Sequence, residues 1–255
     1  MCPDFLVGAS VGAINAGYFA GWPDASGIED LARIWRGLSR RRVFPLSLFG
    51  GVLGLLSARN HLLDPRRLRS LIERNLPYEN LEEAAIPLHV VATDVLSGDE
   101  VVLSSGNAAD ALLASASIPG LFPPVKIGGR YLADGGIANN TPISVACGLG
   151  ATKVIVIPTG FACRLEVPPP DPLGMALHGI SLLIARQLAV DIERYSSRCS
   201  VHVAPALCPL TTTPIDFSHA DELIERSVAE ARCWLGQGGL ERPVTAQPAR
   251  LHAHD

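Results

Sequence analysis

The stretch that decides the fold is residues 5–17, Phe-Leu-Val-Gly-Ala-Ser-Val-Gly-Ala-Ile-Asn-Ala-Gly. Residues 5–7 form a short apolar run that predicts a buried strand, and the small residues after Ser10 predict a closely packed helix. Gly8 and Gly12 bracket Ser10 in a Gly-x-Ser-x-Gly pattern, which predicts a sharp turn between the strand and the helix. Such a turn leaves the Ser10 hydroxyl at a helix N-terminus, where the helix dipole favours a developing alkoxide.

Length and charge limit the class of protein to which this chain can belong. The chain has 255 residues, 48% of them hydrophobic, which suffices for one large α/β domain. We place this domain at residues 1–236 and expect a disordered tail at residues 237–255. The formal net charge of -4 and the absence of a basic run longer than residues 40–42 argue against nucleic acid as the main partner.

The cysteines and the N-terminus indicate the compartment. Six cysteines are scattered without Cys-x-x-Cys spacing, which argues against a zinc site and against a disulfide framework. We expect them to be small core residues in a reducing compartment. No basic segment precedes an apolar segment at the N-terminus, so we expect no signal peptide and a cytoplasmic protein.

Periodicity and turn residues predict the remaining elements. Residues 88–92 are typical of a central strand, with 101–103 as its hairpin partner. A second hairpin, 125–127 with 130–132, turns at Gly128-Gly129. It leads into Ala-Asp-Gly-Gly-Ile-Ala-Asn-Asn at residues 133–140, where a carboxylate followed by two glycines indicates either a local turn or a functional loop. Helices are predicted near 11–22, 28–38, 64–76, 108–117, 142–149, 173–197 and 218–236.

Residues 43–58 are uncharged and have arginines on both sides. A membrane span needs about 20 apolar residues, and the proline and glycines of this segment weaken a helix, so it does not predict a span. One interpretation is a buried loop and helix. The other is an apolar flap that contacts a lipid surface, since exposed apolar patches mark contacts. The residues alone favour neither interpretation.

A serine nucleophile needs a general base, and histidine is the usual one. His202 follows a predicted strand and fits the Ser-Asp-His order of an α/β-hydrolase triad. That fold, however, builds several strands before its nucleophile turn, whereas Ser10 stands near the start of this chain. None of the seven histidines lies in a glycine-flanked loop. The alternative base is Asp134.

With Asp134-Gly135-Gly136 set beside the Gly-x-Ser-x-Gly of residues 8–12, the chain resembles the bacterial patatin-like phospholipases, whose hallmark is a Ser/Asp dyad in these two motifs. The segments between them also resemble the family. The similarity covers residues 4–157 strongly and the C-terminal helices weakly. Its connecting segments are Val-Ala-Thr-Asp at 91–94, Ala-Ser-Ala-Ser-Ile-Pro-Gly-Leu-Phe-Pro-Pro-Val at 114–125 and Gly-Ala-Thr-Lys-Val-Ile at 150–155.

The resemblance implies a three-layer α/β/α domain with a mostly parallel central sheet, and hydrolysis of fatty-acyl esters of phospholipids or other lipids. It implies Ser10 as nucleophile and Asp134 as base, and it requires no metal or other cofactor. The backbone N–H of Val11 is then an expected oxyanion donor. Because an ordinary aspartate is a weak base, the site must be apolar enough to raise the pKa of Asp134. Leu121 and Phe122 are candidate neighbours.

One feature of the family is not found in the sequence. Members carry a glycine-rich oxyanion loop on a strand before the nucleophile strand, and Gly128-Gly129-Arg130 belongs instead to the predicted hairpin. We therefore expect an N-terminally shortened chain that is a poor enzyme as it stands. Three functions remain: a lipid acyl hydrolase, a non-catalytic lipid-binding relative, and an acyltransferase using the same dyad. The presence of both Ser10 and Asp134 favours the first over the second, and the sequence does not separate the first from the third.

Overall fold

The computed structural model describes residues 2–39, 61–158, 167–169, 172–207 and 216–244. Contacts divide the chain into two compact units, Met1–Pro142 with Pro214–Ser218, and Ile143–Thr213 with His219–Asp255. Both units combine strands with helices, as the α/β class requires. A single domain over residues 1–236 stays a prediction.

The first unit contains a five-stranded mixed sheet. Its strands follow the order β1-β2-β5-β4, and β3 pairs with β2. β1 runs parallel to β2, whereas the other three strand pairs are antiparallel. The expectation of a mostly parallel sheet is therefore wrong for the described strands of this unit. Short hairpin turns join β2 to β3 and β4 to β5, which forces these two pairs to be antiparallel, and β5 also pairs antiparallel with β2. The strands are β1 (Leu6–Ala9), β2 (Leu88–Asp94), β3 (Glu100–Leu103), β4 (Val125–Ile127) and β5 (Arg130–Asp134).

The pairing register brings the ends of β1 and β5 together. Ala9, the last residue of β1, lies opposite Val91 of β2. Asp134, the last residue of β5, lies opposite Ala92, the next residue along β2. Since β1 is parallel to β2 and β5 is antiparallel to it, the two strands end at adjacent positions on the same strand. This register places Ser10, the residue after β1, and Asp134, the last residue of β5, at the same level of the sheet on either side of β2.

Helices of the first unit pack around an apolar core built with β2. The core joins Ala13 of α1, Ile72 of α3, Val90 of β2 and Leu112 of α4, all fully or almost fully buried. At Gly17 of α1 a Cβ atom would lie 2.8 Å from Leu112 Cδ1, so α1 and α4 approach closely. The helices are α1 (Val11–Gly21), α2 (Ala25–Arg36), α3 (Arg66–Asn75), α4 (Ala108–Ser115) and α5 (Gly136–Asn139), with a 3₁₀ turn at Leu81–Glu83.

The hairpin that carries Asp134 turns where the sequence predicts. Gly128 and Gly129 have φ values of 57° and 82°, as a two-residue type I′ turn requires. Glycine adopts these positive φ values without the strain that a Cβ atom would add. The turn fixes the register of β4 against β5, and with it the position of the carboxylate.

The second unit pairs two parallel strands with three helices in its described residues. β6 and β7 pair from Lys153–Ser200 to Val156–Val203. Its core includes Ile143, Val156, Leu188 and Val201. The elements are α6 (Ile143–Gly148), β6 (Lys153–Val156), α7 (Pro172–Tyr195), β7 (Ser200–Val203) and α8 (Ala220–Gly236).

A disulfide in the second unit differs from the prediction of unpaired cysteines. Cys147 of α6 and Cys199, next to β7, are joined, although they lie 52 residues apart in the chain. Spacing along the sequence does not reveal such a pair, because only the packing of α6 on the sheet brings the two side chains together. Cys2 and Cys233 are free and exposed. Cys163 and Cys208 lie outside the described residues.

Part of the predicted disordered tail is packed. The Val244 N–H donates to the Val201 carbonyl over 2.8 Å. Lys153 Nζ donates to the Leu240 carbonyl over 2.7 Å. These bonds attach residues 237–244 to β6 and β7, which composition alone does not predict. Residues 245–255 lie outside the described residues.

One described helix is long and apolar enough to cross a membrane. It comprises Gly174–Tyr195 of α7, and the criterion is length and composition only. The uncharged segment at residues 43–58, for which a lipid contact is one interpretation, lies outside the described residues.

Candidate active site

Ser10 occupies the turn between β1 and α1. Its backbone has φ 53° and ψ -132°. It is the one non-glycine residue with positive φ in the part of the chain that the structure describes. A conformation of this kind costs about 1–3 kcal/mol and persists only where surrounding contacts impose it. The sharp turn expected from the sequence is present, and it ends with Ser10 as the N-cap residue of α1.

The two glycines of the Gly-x-Ser-x-Gly pattern have different roles. A Cβ atom at Gly8 would lie 2.6 Å from Ala13 Cα and 2.8 Å from its nitrogen, so only glycine fits beside the start of α1. At Gly12 no described atom lies within 4 Å of the Cβ position. The steric requirement for glycine is therefore present at Gly8, and the described residues outside the backbone of α1 do not impose it at Gly12.

The Ser10 and Asp134 side chains are hydrogen-bonded, although 124 residues separate them. Ser10 Oγ donates to Asp134 Oδ2 over 2.6 Å. That distance is typical of a hydroxyl bonded to a carboxylate, which is shorter and stronger than a neutral pair. The geometry is that of a nucleophile whose proton already points at an acceptor.

Burial dominates the electrostatics of Asp134. The residue is 7% exposed. Desolvation raises the pKa of its carboxyl above the ordinary value, and the hydrogen bonds from Ser10 and Gly136 oppose this rise. The Gly136 N–H donates to Oδ1 over 2.8 Å, so each carboxylate oxygen has one donor. Leu121 and Phe122, expected as apolar neighbours, pack in or against the main core of the first unit.

The glycines after Asp134 make room for the carboxylate and for β2. A Cβ atom at Gly135 would lie 2.1 Å from the Val91 carbonyl oxygen. At Gly136 it would lie 2.9 Å from Asp134 Oδ1 and 2.8 Å from Asn140 Oδ1. Backbone atoms cannot move aside as a flexible side chain does, so the steric requirement is strictest at Gly135.

Two buried hydroxyls hold the backbone on either side of the dyad, and the sequence analysis did not single them out. Ser115 Oγ accepts the Ser10 N–H over 2.9 Å and donates to the Val91 carbonyl over 2.6 Å. Thr93 Oγ1 donates to the Asp134 carbonyl over 2.8 Å and accepts the Ala138 N–H over 3.2 Å. The sequence does hold one signal for such residues. A serine or threonine within an otherwise apolar run is expected to be buried, and a buried hydroxyl needs a hydrogen-bond partner.

The first turn of α1 presents two backbone donors beside Ser10. In the described part of the chain, the N–H groups of Val11 and Gly12 have no hydrogen-bond acceptor, whereas the Ala13 N–H donates to the Ser10 carbonyl over 3.0 Å. Such N–H groups and the helix dipole attract anions. Val11 was expected as a donor, and Gly12 adds a second.

His202 is bonded on both ring nitrogens within its own unit. Nδ1 lies 2.9 Å from the Gly239 carbonyl oxygen, and Nε2 lies 2.9 Å from Ser200 Oγ. A carbonyl only accepts, so the Nδ1–H donates to Gly239 and Nε2 accepts from the Ser200 hydroxyl. The described hydrogen bonds of the imidazole therefore go to Ser200 and Gly239 of the second unit. Among the described residues, no three His, Cys, Asp or Glu side chains gather to hold a metal ion.

A family model for patatin-like phospholipases matches residues 1–147, more than half of the 255-residue chain. The chain belongs to the patatin-like phospholipase family. The match confirms the resemblance drawn from the sequence, and with it the three-layer α/β/α fold class. Ser10 and Asp134 both lie in the matched residues.

Three relatives illustrate the similarity. An uncharacterized NTE family protein of Mycobacterium tuberculosis is 42% identical over 167 residues, which cover 57% of this chain and 28% of that protein. A second uncharacterized NTE family protein of the same organism is 30% identical over 155 residues, covering 60% of this chain and 39% of that protein. The mouse patatin-like phospholipase domain-containing protein 7 is 28% identical over 273 residues, covering 96% of this chain and 20% of that protein. The chain thus spans well under half the length of these relatives.

If Asp134 is the base, as in the patatin-like family, we predict that His202→Ala leaves catalysis intact. Both ring nitrogens already serve buried hydrogen bonds, so the substitution should lower the free energy of unfolding by about 1–3 kcal/mol. It should change the kcat for a short-chain ester by less than about twofold, because no proton passes through the ring. Steady-state kinetics well below the unfolding temperature check this. A His202→Ala protein that is folded but inactive would instead favour the triad alternative.

Proposed function

We infer that this chain is a serine-dependent acyl hydrolase acting on fatty-acyl esters of phospholipids or related lipids. The observation that carries the proposal is the 2.6 Å hydrogen bond from Ser10 Oγ to the buried Asp134 carboxylate. Family membership supports the lipid substrate class. Ser10 is the proposed nucleophile and Asp134 the proposed general base.

In the acylation step, Ser10 Oγ attacks the carbonyl carbon of the ester while its proton moves to Asp134 Oδ2. The tetrahedral intermediate collapses, the C–O bond to the alcohol breaks, and the leaving alkoxide takes the proton from Asp134. In deacylation a water molecule attacks the acyl-enzyme and gives its proton to Asp134, and Ser10 Oγ recovers that proton as the fatty acid leaves.

The Val11 and Gly12 N–H groups are the proposed donors to the oxyanion. Both lie in the first turn of α1, next to the nucleophile, and neither has an acceptor among the described residues. Donors fixed in place before the reaction stabilise charge without reorganising, and loss of one such donor costs about 10²–10³ in rate. Among the described residues outside the backbone of α1, no atom lies within 4 Å of the Cβ position of Gly12.

The raised pKa of Asp134 makes it a stronger base than an ordinary aspartate. Burial is the main cause of the rise. Asp134 accepts a proton only in its ionised form, so activity should increase as pH rises through the raised pKa and should be lost below it. A raised pKa of Asp134 also lies closer to the pKa of the serine hydroxyl, which eases the transfer of the proton from Ser10 to Asp134.

The proposal includes contact with a lipid surface. Ile118 and Ile137 are 41% and 57% exposed. Ile118 follows Ser117, whose carbonyl accepts the Asp134 N–H, and Ile137 follows Gly136, which donates to the Asp134 carboxylate. Exposed isoleucines in both segments favour an apolar substrate over a polar one. A cytoplasmic location with peripheral membrane contact stays a prediction.

The test measures where the acyl group goes. The full chain is incubated with a lysophospholipid and with a short-chain ester, in water enriched in the heavy oxygen isotope and with glycerol present as a second acceptor. The proposal predicts release of fatty acid that carries one heavy oxygen in its carboxylate. Transfer of the acyl group to glycerol without isotope uptake would indicate an acyltransferase. No acyl release at all, with retained lipid binding, would indicate a non-catalytic relative.

A further inference from the structure

The conformation of Ser10 needs a support outside its own turn. Its φ of 53° is sterically unfavourable for a residue with a side chain. Its side chain makes no capping hydrogen bond to α1, and its hydroxyl donates to Asp134. Gly8 allows the turn but does not hold it. Some other group must hold the Ser10 backbone in the conformation that points Oγ at the carboxylate.

Ser115 supplies that support. Its hydroxyl is fully buried, at 0% exposure, and bridges the Ser10 N–H and the Val91 carbonyl. Because its own proton goes to Val91, its lone pair is directed at the Ser10 N–H. Bulk water does not contact this hydroxyl in the described part of the structure.

The backbone of Ser115 also contacts the segment that carries the base. Its carbonyl accepts the Gly135 N–H over 3.1 Å, one residue after Asp134. One residue at the end of α4 is therefore bonded to both halves of the dyad, to Ser10 through its side chain and to Gly135 through its main chain. The distance between Ser10 Oγ and Asp134 Oδ2 depends on both of these anchors.

We propose that Ser115 is a positioning residue that holds the Ser10 backbone in its strained turn and thereby aims the nucleophile at Asp134. This inference rests on the proposed function. Ser115 does not touch the reacting atoms, so its loss should lower the rate of nucleophilic attack and leave substrate binding unchanged. A misplacement of about 1 Å at a reacting group costs about 10²-fold in rate.

The experiment compares Ser115→Ala with Ser117→Ala as a matched control. Ser117 is also 0% exposed, its hydroxyl donates to the Leu113 carbonyl, and its bond to the Asp134 N–H is made by the main chain, which the substitution does not change. The rate constant for labelling by a fluorophosphonate and the kinetics of a short-chain ester are measured in the full chain. Ser115→Ala should lower labelling and kcat by about ten- to a hundredfold, with KM within about twofold of wild type. Ser117→Ala should change each by less than about twofold, although it too loses a buried hydrogen bond.

The outcomes separate this inference from the proposed function. Labelling of Ser115→Ala at the wild-type rate, or an equal loss in Ser117→Ala, overturns the positioning role while the hydrolase stands. Absence of Ser10 labelling in the wild-type chain overturns the hydrolase itself.

A measurement on the unmodified chain covers the case in which Ser115→Ala does not fold. The Ser10 amide should exchange its hydrogen at least about tenfold more slowly than the Val11 and Gly12 amides, and equal exchange rates contradict the Ser115 bond.

Discussion

Replacement of Ser10 with alanine is expected to abolish ester hydrolysis, with kcat falling by at least about 10³-fold. The substitution removes the oxygen that forms the acyl-enzyme. Among the described contacts, no other hydroxyl donates to the Asp134 carboxylate. The variant should stay folded, with a free energy of unfolding lower by about 1–3 kcal/mol, because the buried Asp134 carboxylate loses one of its two donors. The measurement is steady-state hydrolysis of a soluble short-chain ester, with circular dichroism to establish that the variant is folded.

Ser26→Ala is the control for this substitution. Ser26 is an exposed serine whose hydroxyl donates to Asp24 Oδ1 at the start of α2. Its replacement should leave kcat and KM within about twofold of wild type, since surface substitutions change stability by less than about 0.5 kcal/mol. If Ser10→Ala kept more than about a tenth of the wild-type rate, a serine acyl-enzyme would be excluded as the main route.

The second large effect is expected for Asp134→Asn, which should lower kcat by at least about 10³-fold while the protein stays folded. The amide keeps the shape of the carboxylate, and its oxygen still accepts the Gly136 N–H, but it cannot accept the serine proton. Asp99→Asn, an exposed aspartate in the turn between β2 and β3, is the matched control and should have little effect. A folded Asp134→Asn protein with near wild-type turnover would remove Asp134 from the base role.

Asp134→Asn should also change the pH dependence of stability. Burial raises the pKa of Asp134 in the folded chain. The stabilising contribution of such a group is full below its unfolded pKa and is lost as pH rises through the folded pKa. We subtract the free energy of unfolding of wild type from that of Asp134→Asn. This difference should be more positive at pH of about 8 than at pH of about 4, and urea unfolding at the two pH values measures it. The opposite trend would mean that the buried carboxylate stabilises the fold in its charged form.

Local patterns sufficed to predict most elements of the first unit. The apolar run before Ser10 became β1, Gly128-Gly129 became the turn of a hairpin, and the apolar spacing of α3 placed Leu68 and Ile72 in the core. These features depend on residues close together in the chain, so the sequence carries their signal directly. The proximity of Ser10 and Asp134 rested on the resemblance to the family and not on any local pattern.

What local patterns could not predict are the long-range pairings. The dyad forms because β1 ends opposite Val91 and β5 ends opposite Ala92, and this register depends on the whole sheet. The mixed character of the sheet and the bond between Cys147 and Cys199 depend on tertiary packing in the same way.

The buried hydroxyls are a further example. Ser115 lies in a helix of alanines and leucines and is indistinguishable there from a residue chosen for its small size. Its function follows from the direction of its hydroxyl, which the Val91 carbonyl sets. Gly8 and Gly12 are equivalent in the motif, but the described neighbours require glycine only at Gly8.

The most direct test of the central claim, that Ser10 and Asp134 form a nucleophile–base pair, is to locate a covalent adduct. The full chain is treated with a fluorophosphonate at neutral pH, digested, and analysed by mass spectrometry. The account predicts one adduct per chain, on the peptide that contains Ser10, formed at least about a hundredfold more slowly in Asp134→Asn. An adduct on another residue, or equal rates of Ser10 labelling in wild type and Asp134→Asn, would contradict it.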